Sequence, residues 1–239
     1  MRNDMLIARN KSAAAPVRAR RRSLRSLWRN SEALMIIEFA YAMPVLMMLS
    51  FTSIELANLA TTNMRISQLT MTVADNLSRA MQSVPLANPQ LREVDINDAL
   101  LGAKIQSGGL DIYGNGRVIL SSLQRNGSNN QTIFWQRCKG TLQVASRYGA
   151  QGATQNVTPG FTGMGSSPVV QAPAGSAIIF AEVTYNYKPL VGSWALGNFQ
   201  LRKEAAFFVR DERDLTTTPI NPSPAATASA CNVYNASFS

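Results

Sequence analysis

The residue whose type and position promise chemistry first is Glu38, the one carboxylate in the apolar stretch Leu34-Met35-Ile36-Ile37-Glu38-Phe39-Ala40-Tyr41-Ala42-Met43-Pro44. An ionisable group in hydrocarbon costs roughly 2.5 to 3.5 kcal/mol at mid-helix and less near an interface, so it requires a partner or a purpose. Two outcomes are open: Glu38 snorkels to the cytoplasmic interface one turn away, or it pairs with a cation brought to it. Elsewhere the chemistry is thin. The chain has no histidine to serve as base, proton shuttle or metal ligand. Its two cysteines are too far apart in sequence for a zinc knuckle or a Cys-x-x-Cys redox pair. Asp211, Glu212 and Asp214 alternate with Arg210 and Arg213, which reads as a soluble strand end more than a cation site. Tyr185, Tyr187, Trp194, Phe199, Phe207 and Phe208 read as sheet core rather than a ligand platform. No cofactor is implied, and catalysis has no residues to stand on.

The element that positions Glu38 is a membrane span. Leu34 to Ile54 offers 21 residues with one charge, about 31 Å of helix, the thickness of a bilayer core. Residues 1–30 carry nine Lys or Arg against the single acid Asp4, a net charge of +8. Removing that from the whole-chain +9 leaves +1 for residues 31–239, so the high isoelectric point belongs to the leader. A basic nucleic-acid-binding domain is thereby excluded; a cluster of arginines can contact nucleic acid, but beside a transmembrane run its commoner job is to hold that end in the cytoplasm. The expected order is a basic cytoplasmic leader over 1–33, a transmembrane helix over 34–56 and everything beyond on the outer side. Glu55 falls near the outer interface and reads as the end of the span. Cys138 and Cys231 both lie on the outer side, where an even pair forms a disulfide, the alternative being two buried thiols.

Beyond the span, Ile66, Leu69, Val73, Leu77, Ala80 and Val84 recur at steps of three and four, with Arg65, Gln68, Thr72, Asp75, Arg79 and Gln82 opposite. This predicts an amphipathic helix over 57–85 continuing the span until Pro85 and Pro89 stop it. Leu34 to Val84 would then be one rod of 51 residues, about 76 Å long, kinked at Pro44. An α+β domain over 90–214 follows. It holds a short helix at 96–106, with Asp95 as cap and Gly108-Gly109 as stop, then a hairpin of Val118–Leu123 and Thr132–Cys138. Two half-buried strands are predicted over Ala177–Tyr187 and Phe199–Val209 by their alternation. The Gly/Pro/Ser/Thr-rich stretch 149–175 reads as a surface loop or a disordered insert, and the Pro/Ala/Ser/Thr-rich tail 215–239 as similar.

The order Glu38-Phe39-Ala40, Pro44-Val45-Leu46 and Glu55-Leu56 after a basic stretch resembles the TadE-like family of pseudopilins from tight-adherence (Flp, type IVb) pilus systems. The resemblance is specific over residues 28–60. The strand Val183-Thr184-Tyr185-Asn186-Tyr187-Lys188-Pro189 and the closing Phe208-Val209-Arg210 are similar in style only. It implies a pilin-like α+β fold, a long N-terminal helix followed by a small antiparallel sheet. It also implies cutting by a membrane prepilin peptidase between Ala33 and Leu34, which makes Glu38 the fifth residue of the mature chain. Ala33 stands where the family usually has Gly. The implied partners are the membrane, other pilins and pseudopilins, the pilus assembly machinery and the peptidase. The implied place is the bacterial inner membrane, with the C-terminal domain periplasmic or carried to the cell surface in a pilus.

Cutting at Leu34 would create an α-amino group with a pKa of about 7.7 to 8.0, which a carboxylate on a neighbouring helix neutralises. Two other readings stay open. One is a signal-anchored exported adhesin or envelope-binding module, in which Glu38 is incidental. The other is a secreted enzyme, with Arg21-Arg22-Ser23-Leu24-Arg25 as an export motif and Ala40-Tyr41-Ala42 as a signal-peptidase site.

Overall fold

The computed structural model describes residues 31–80, 82–84, 87–154, 160–192, 197, 199–210 and 213–238. Most of the leader, residues 1–30, lies outside the described residues, as do Trp194, Asp211 and Glu212. Contacts divide the chain into two units, Met1–Ser50 and Phe51–Ser239. Helix α1, Ser31–Arg79, runs on through Pro44 without a break and begins in the first unit. The second unit adds a short antiparallel pair, β1 (Gln82–Val84) and β2 (Ala87–Gln90), then α2 (Glu93–Ser107). Four longer strands follow: β3 (Gly116–Arg125), β4 (Gln131–Lys139), β5 (Ile178–Asn186) and β6 (Gln200–Phe208). They form one antiparallel sheet in the order β4-β3-β5-β6, so the chain is α+β: a long apolar N-terminal helix followed by a small antiparallel sheet.

Sequence periodicity places the core correctly. Ile66, Leu69, Val73 and Leu77 of α1 are buried together with Ile96 and Leu100 of α2. Val118, Leu120, Ile179, Ala181 and Val183 meet them from one face of the sheet, as the alternation of side chains along a strand requires. The hairpin turn is built by Asn126, whose side-chain oxygen accepts the N–H groups of Ser128 and Asn130 at 3.0 and 2.9 Å. A bulge opposite Ser122/Leu123 separates Trp135 from Ile133: the first joins the α1-facing core and the second the opposite face.

Several expectations are corrected. The amphipathic helix stops at Arg79, and Gln82–Val84, which the periodicity assigns to helix, is a strand. The reason is distant in sequence. The final carbonyls of a helix lack internal partners, and here Arg213 Nη2 donates to Leu77 O and Ser78 O at 3.3 and 2.9 Å, while the Arg210 N–H reaches Ser78 O at 3.4 Å. Helix α2 starts three residues earlier than expected, because Asp95 acts from the third position of the helix by accepting the Arg92 N–H at 3.0 Å.

Strand β5 is not half-buried. It lies inside the sheet and is covered on both faces from Ile178 to Tyr185. Its second cover comes from described residues of the stretches 149–154 and 160–175, which do more than form a surface loop: Ala153, Phe161, Met164 and Ala172 pack against Leu123, Ile133, Ile178 and Phe180.

The tail also packs. Ile220 exchanges hydrogen bonds with Leu91 and Glu93, Ser229 O accepts the Cys138 N–H at 2.8 Å, and Asn235 O accepts the Gly140 N–H at 3.0 Å. Residues 220–238 therefore form a strap rather than a free end, and Phe238 closes it against Tyr113 with rings 5.5 Å apart.

Candidate functional site

Of the residues nominated from the sequence, Ala33, Leu34, Glu38, Phe39 and Pro44 lie on the first half of α1. Every side chain from Leu34 to Ile54 is exposed except Met43, which is half-buried. Glu38, Phe39 and Pro44 are all among the exposed ones. Leu34 and Glu38 are one helical turn apart on the same face, because residues four apart stack along a helix. The cleavage candidate Ala33–Leu34 lies in the first turn of α1. A helix with this much uncovered apolar surface is unstable in water, whereas its backbone, hydrogen-bonded within itself, is suited to hydrocarbon. It is long and apolar enough to cross a membrane.

Glu55 is different. Read from sequence as the end of the span, it is fully buried, and each of its carboxylate oxygens is occupied. Oε1 accepts the hydroxyl of Tyr187, and Oε2 accepts the backbone N–H groups of Leu190 and Val191, both at 2.9 Å. Two successive N–H groups converging on one oxygen form a small anion-binding concavity. Asn58 Nδ2 donates to the Tyr187 hydroxyl at 2.7 Å, and the Tyr187 ring stacks on Phe199 at 5.1 Å. Burial first, and the hydrogen bond to Glu55 second, push the Tyr187 phenol up to about 12. The signal that could have found this site was in the sequence: a second acid at the far end of one apolar helix has the same need for a partner as the first.

No family model, curated protein or solved structure matches the chain.

The two cysteines form a disulfide across 93 residues of chain, with Cα atoms 4.6 Å apart. Beside it, Arg117 is buried, donates to Cys231 O at 2.5 Å and lies 4.0 Å beneath the Tyr234 ring. Burial pushes the Arg117 guanidinium below its ordinary value. Together these contacts fasten the strap to β3 and β4.

The buried acid of β5, Glu182, accepts Ser146 Oγ at 2.5 Å and the Arg147 N–H at 3.1 Å, with Arg202 at 3.7 Å. Burial dominates these contacts and pushes its carboxyl above the usual range, and the cluster ties the loop after β4 to the sheet. Of the acidic group near residue 212, only Asp214 is described. Its carboxylate accepts Thr216 N–H at 2.8 Å and Thr216 Oγ1 at 2.6 Å. Among the described residues, no three acidic, cysteine or histidine side chains are grouped to hold a metal ion. The structure thus brings together Cys138 with Cys231 and Glu55 with Tyr187, and it leaves Glu38 facing outward.

Proposed function

We propose that this protein is a TadE-like minor pseudopilin, a structural component of tight-adherence pilus assembly and secretion. Helix α1 is inserted in the bacterial inner membrane, the basic leader stays in the cytoplasm, and the sheet domain is periplasmic until it is carried to the cell surface in an assembled pilus. The role is structural rather than enzymatic, and the partners are other pilins and pseudopilins, the assembly machinery and a prepilin peptidase. The observation that carries this reading is the outward-facing apolar helix interrupted by the single carboxylate of Glu38. A long helix leading into a small antiparallel sheet supports a pilin-like architecture.

In this reading the peptidase cuts between Ala33 and Leu34, and the new α-amino group of one subunit docks against Glu38 of the next. A charge pair formed in a low-dielectric setting sets the register of one helix against its neighbour. Helix packing supplies the remaining cohesion, since neighbouring apolar side chains replace lipid contacts with helix contacts.

The test is the amino terminus of the mature protein, read by mass spectrometry of membrane and pilus fractions. A chain beginning at Leu34 is expected. A chain that retains its leader overturns the pseudopilin reading in favour of a signal-anchored exported domain acting as an adhesin or envelope-binding module. Ala33, in the place of the family's usual Gly, is the residue that favours that second reading.

A further inference from the structure

We propose that the segment Lys188-Pro189-Leu190-Val191 is a second membrane contact, a loop seated in the lipid headgroup layer where α1 leaves the hydrocarbon. The inference rests on reading α1 as a membrane anchor and goes beyond it by assigning a lipid-binding surface to the sheet domain. Glu55 directly follows Ile54, the last residue of the apolar run, so on a helix rising about 1.5 Å per residue it sits at the edge of the bilayer core. Its Oε2 holds the N–H groups of both Leu190 and Val191 at 2.9 Å, which fixes the loop backbone at that same level.

The side chains of this loop have the composition of an interfacial contact. Leu190 is 67% exposed although its N–H is tied to a buried carboxylate. Lys188, two residues earlier, is exposed. A leucine entering the acyl boundary with a lysine reaching the phosphates is the arrangement that an amphipathic surface adopts on a bilayer. On α1 itself, Ile54 and Leu56, on either side of Glu55, are 53% and 51% exposed. A headgroup layer is the occupant that matches this position, because the loop is clipped to the residue where the span ends. The buried Glu55 is then the positioning residue of a lipid contact. It holds the loop through two backbone bonds and leaves the Leu190 side chain uncovered.

The experiment uses the full chain with its disulfide intact, reconstituted in vesicles of phosphatidylcholine and phosphatidylglycerol. Single nitroxide labels are introduced through Leu46→Cys, Leu190→Cys and Val169→Cys, the native cysteines being bonded to one another. Collision rates with oxygen, which concentrates in lipid, and with a water-soluble nickel chelate report depth. The label at 46 is expected deep in the hydrocarbon, the label at 190 in the headgroup layer with chelate collisions reduced several-fold, and the label at 169 fully aqueous. Adding Glu55→Ala should return the label at 190 to aqueous values while the label at 46 stays deep. An aqueous label at 190 beside a deep label at 46 overturns the loop contact alone. An aqueous label at 46 overturns the membrane anchor itself. A label at 190 that stays shallow in the Glu55→Ala protein overturns the clip.

Discussion

The carboxylate of Glu55 on α1 accepts the hydroxyl hydrogen of Tyr187, 132 residues further along the chain. Glu38 and Glu55, both on α1, therefore have opposite fates. Glu38 faces outward and is available to another molecule, while Glu55 is consumed inside its own unit by one hydroxyl and two backbone N–H groups. The contacts of Glu55 tie α1 to the segment that follows β5.

Tyr187→Phe removes a hydroxyl that donates to Glu55 and accepts from Asn58. A hydrogen bond to a charged group contributes about 1.5 to 3 kcal/mol, and a loss of that order is expected in denaturant unfolding of the full chain in micelles. The same variant has a distinctive pH profile. Tyr187 and Tyr148 are both raised from 10.0 to about 12, the first by burial and Glu55, the second by burial and Glu204. Because the folded state holds these protons more tightly than the unfolded state, their contribution is complete below pH 10 and is lost as pH rises through about 12. Unfolding free energy should therefore fall over that interval, and more shallowly in Tyr187→Phe.

Removing the disulfide should loosen the strap. Cys138 and Cys231 close a loop spanning 93 residues, for which the chain-entropy relation gives about 4 to 5 kcal/mol. The double variant Cys138→Ser/Cys231→Ser is expected to lose stability of that order in urea. Hydrogen exchange should also quicken at the Cys138 position and at Gly140, whose N–H groups are held by Ser229 and Asn235. Unchanged exchange at both sites would mean that the non-covalent contacts of the strap hold it without the disulfide.

If α1 is the assembly helix proposed above, Glu38→Ala separates assembly from insertion. Removing a charge from an apolar helix favours insertion, since the desolvation cost disappears, so membrane fractions should contain the variant at wild-type levels. Incorporation into pili and co-purification with pilus components should drop at least several-fold. Wild-type piliation in this variant would remove Glu38 from any assembly role.

What the sequence by itself determined are the features written in short windows. The 21-residue apolar run, the three-and-four spacing of Ile66, Leu69, Val73 and Leu77 and the asparagine-rich turn at 126–130 each carry their structure locally, whereas the alternation along 177–187 marked a strand but not its burial on both faces. Side-chain periodicity and turn chemistry act over a few residues, so they are legible without a fold. The cysteine pairing was legible for a simpler reason: a chain with two cysteines has one intramolecular pairing open to it.

Tertiary structure alone decided where α1 ends, what Glu55 binds and how the polar-looking stretches 149–154, 160–175 and 220–238 pack. Arg213 stops the helix from more than 130 residues away, and the loop after Tyr187 fills the carboxylate of Glu55 from a similar distance. The reason is physical: a buried carbonyl or carboxylate must be satisfied by whichever donor the fold brings within about 3 Å, and local composition carries no record of which donor that is.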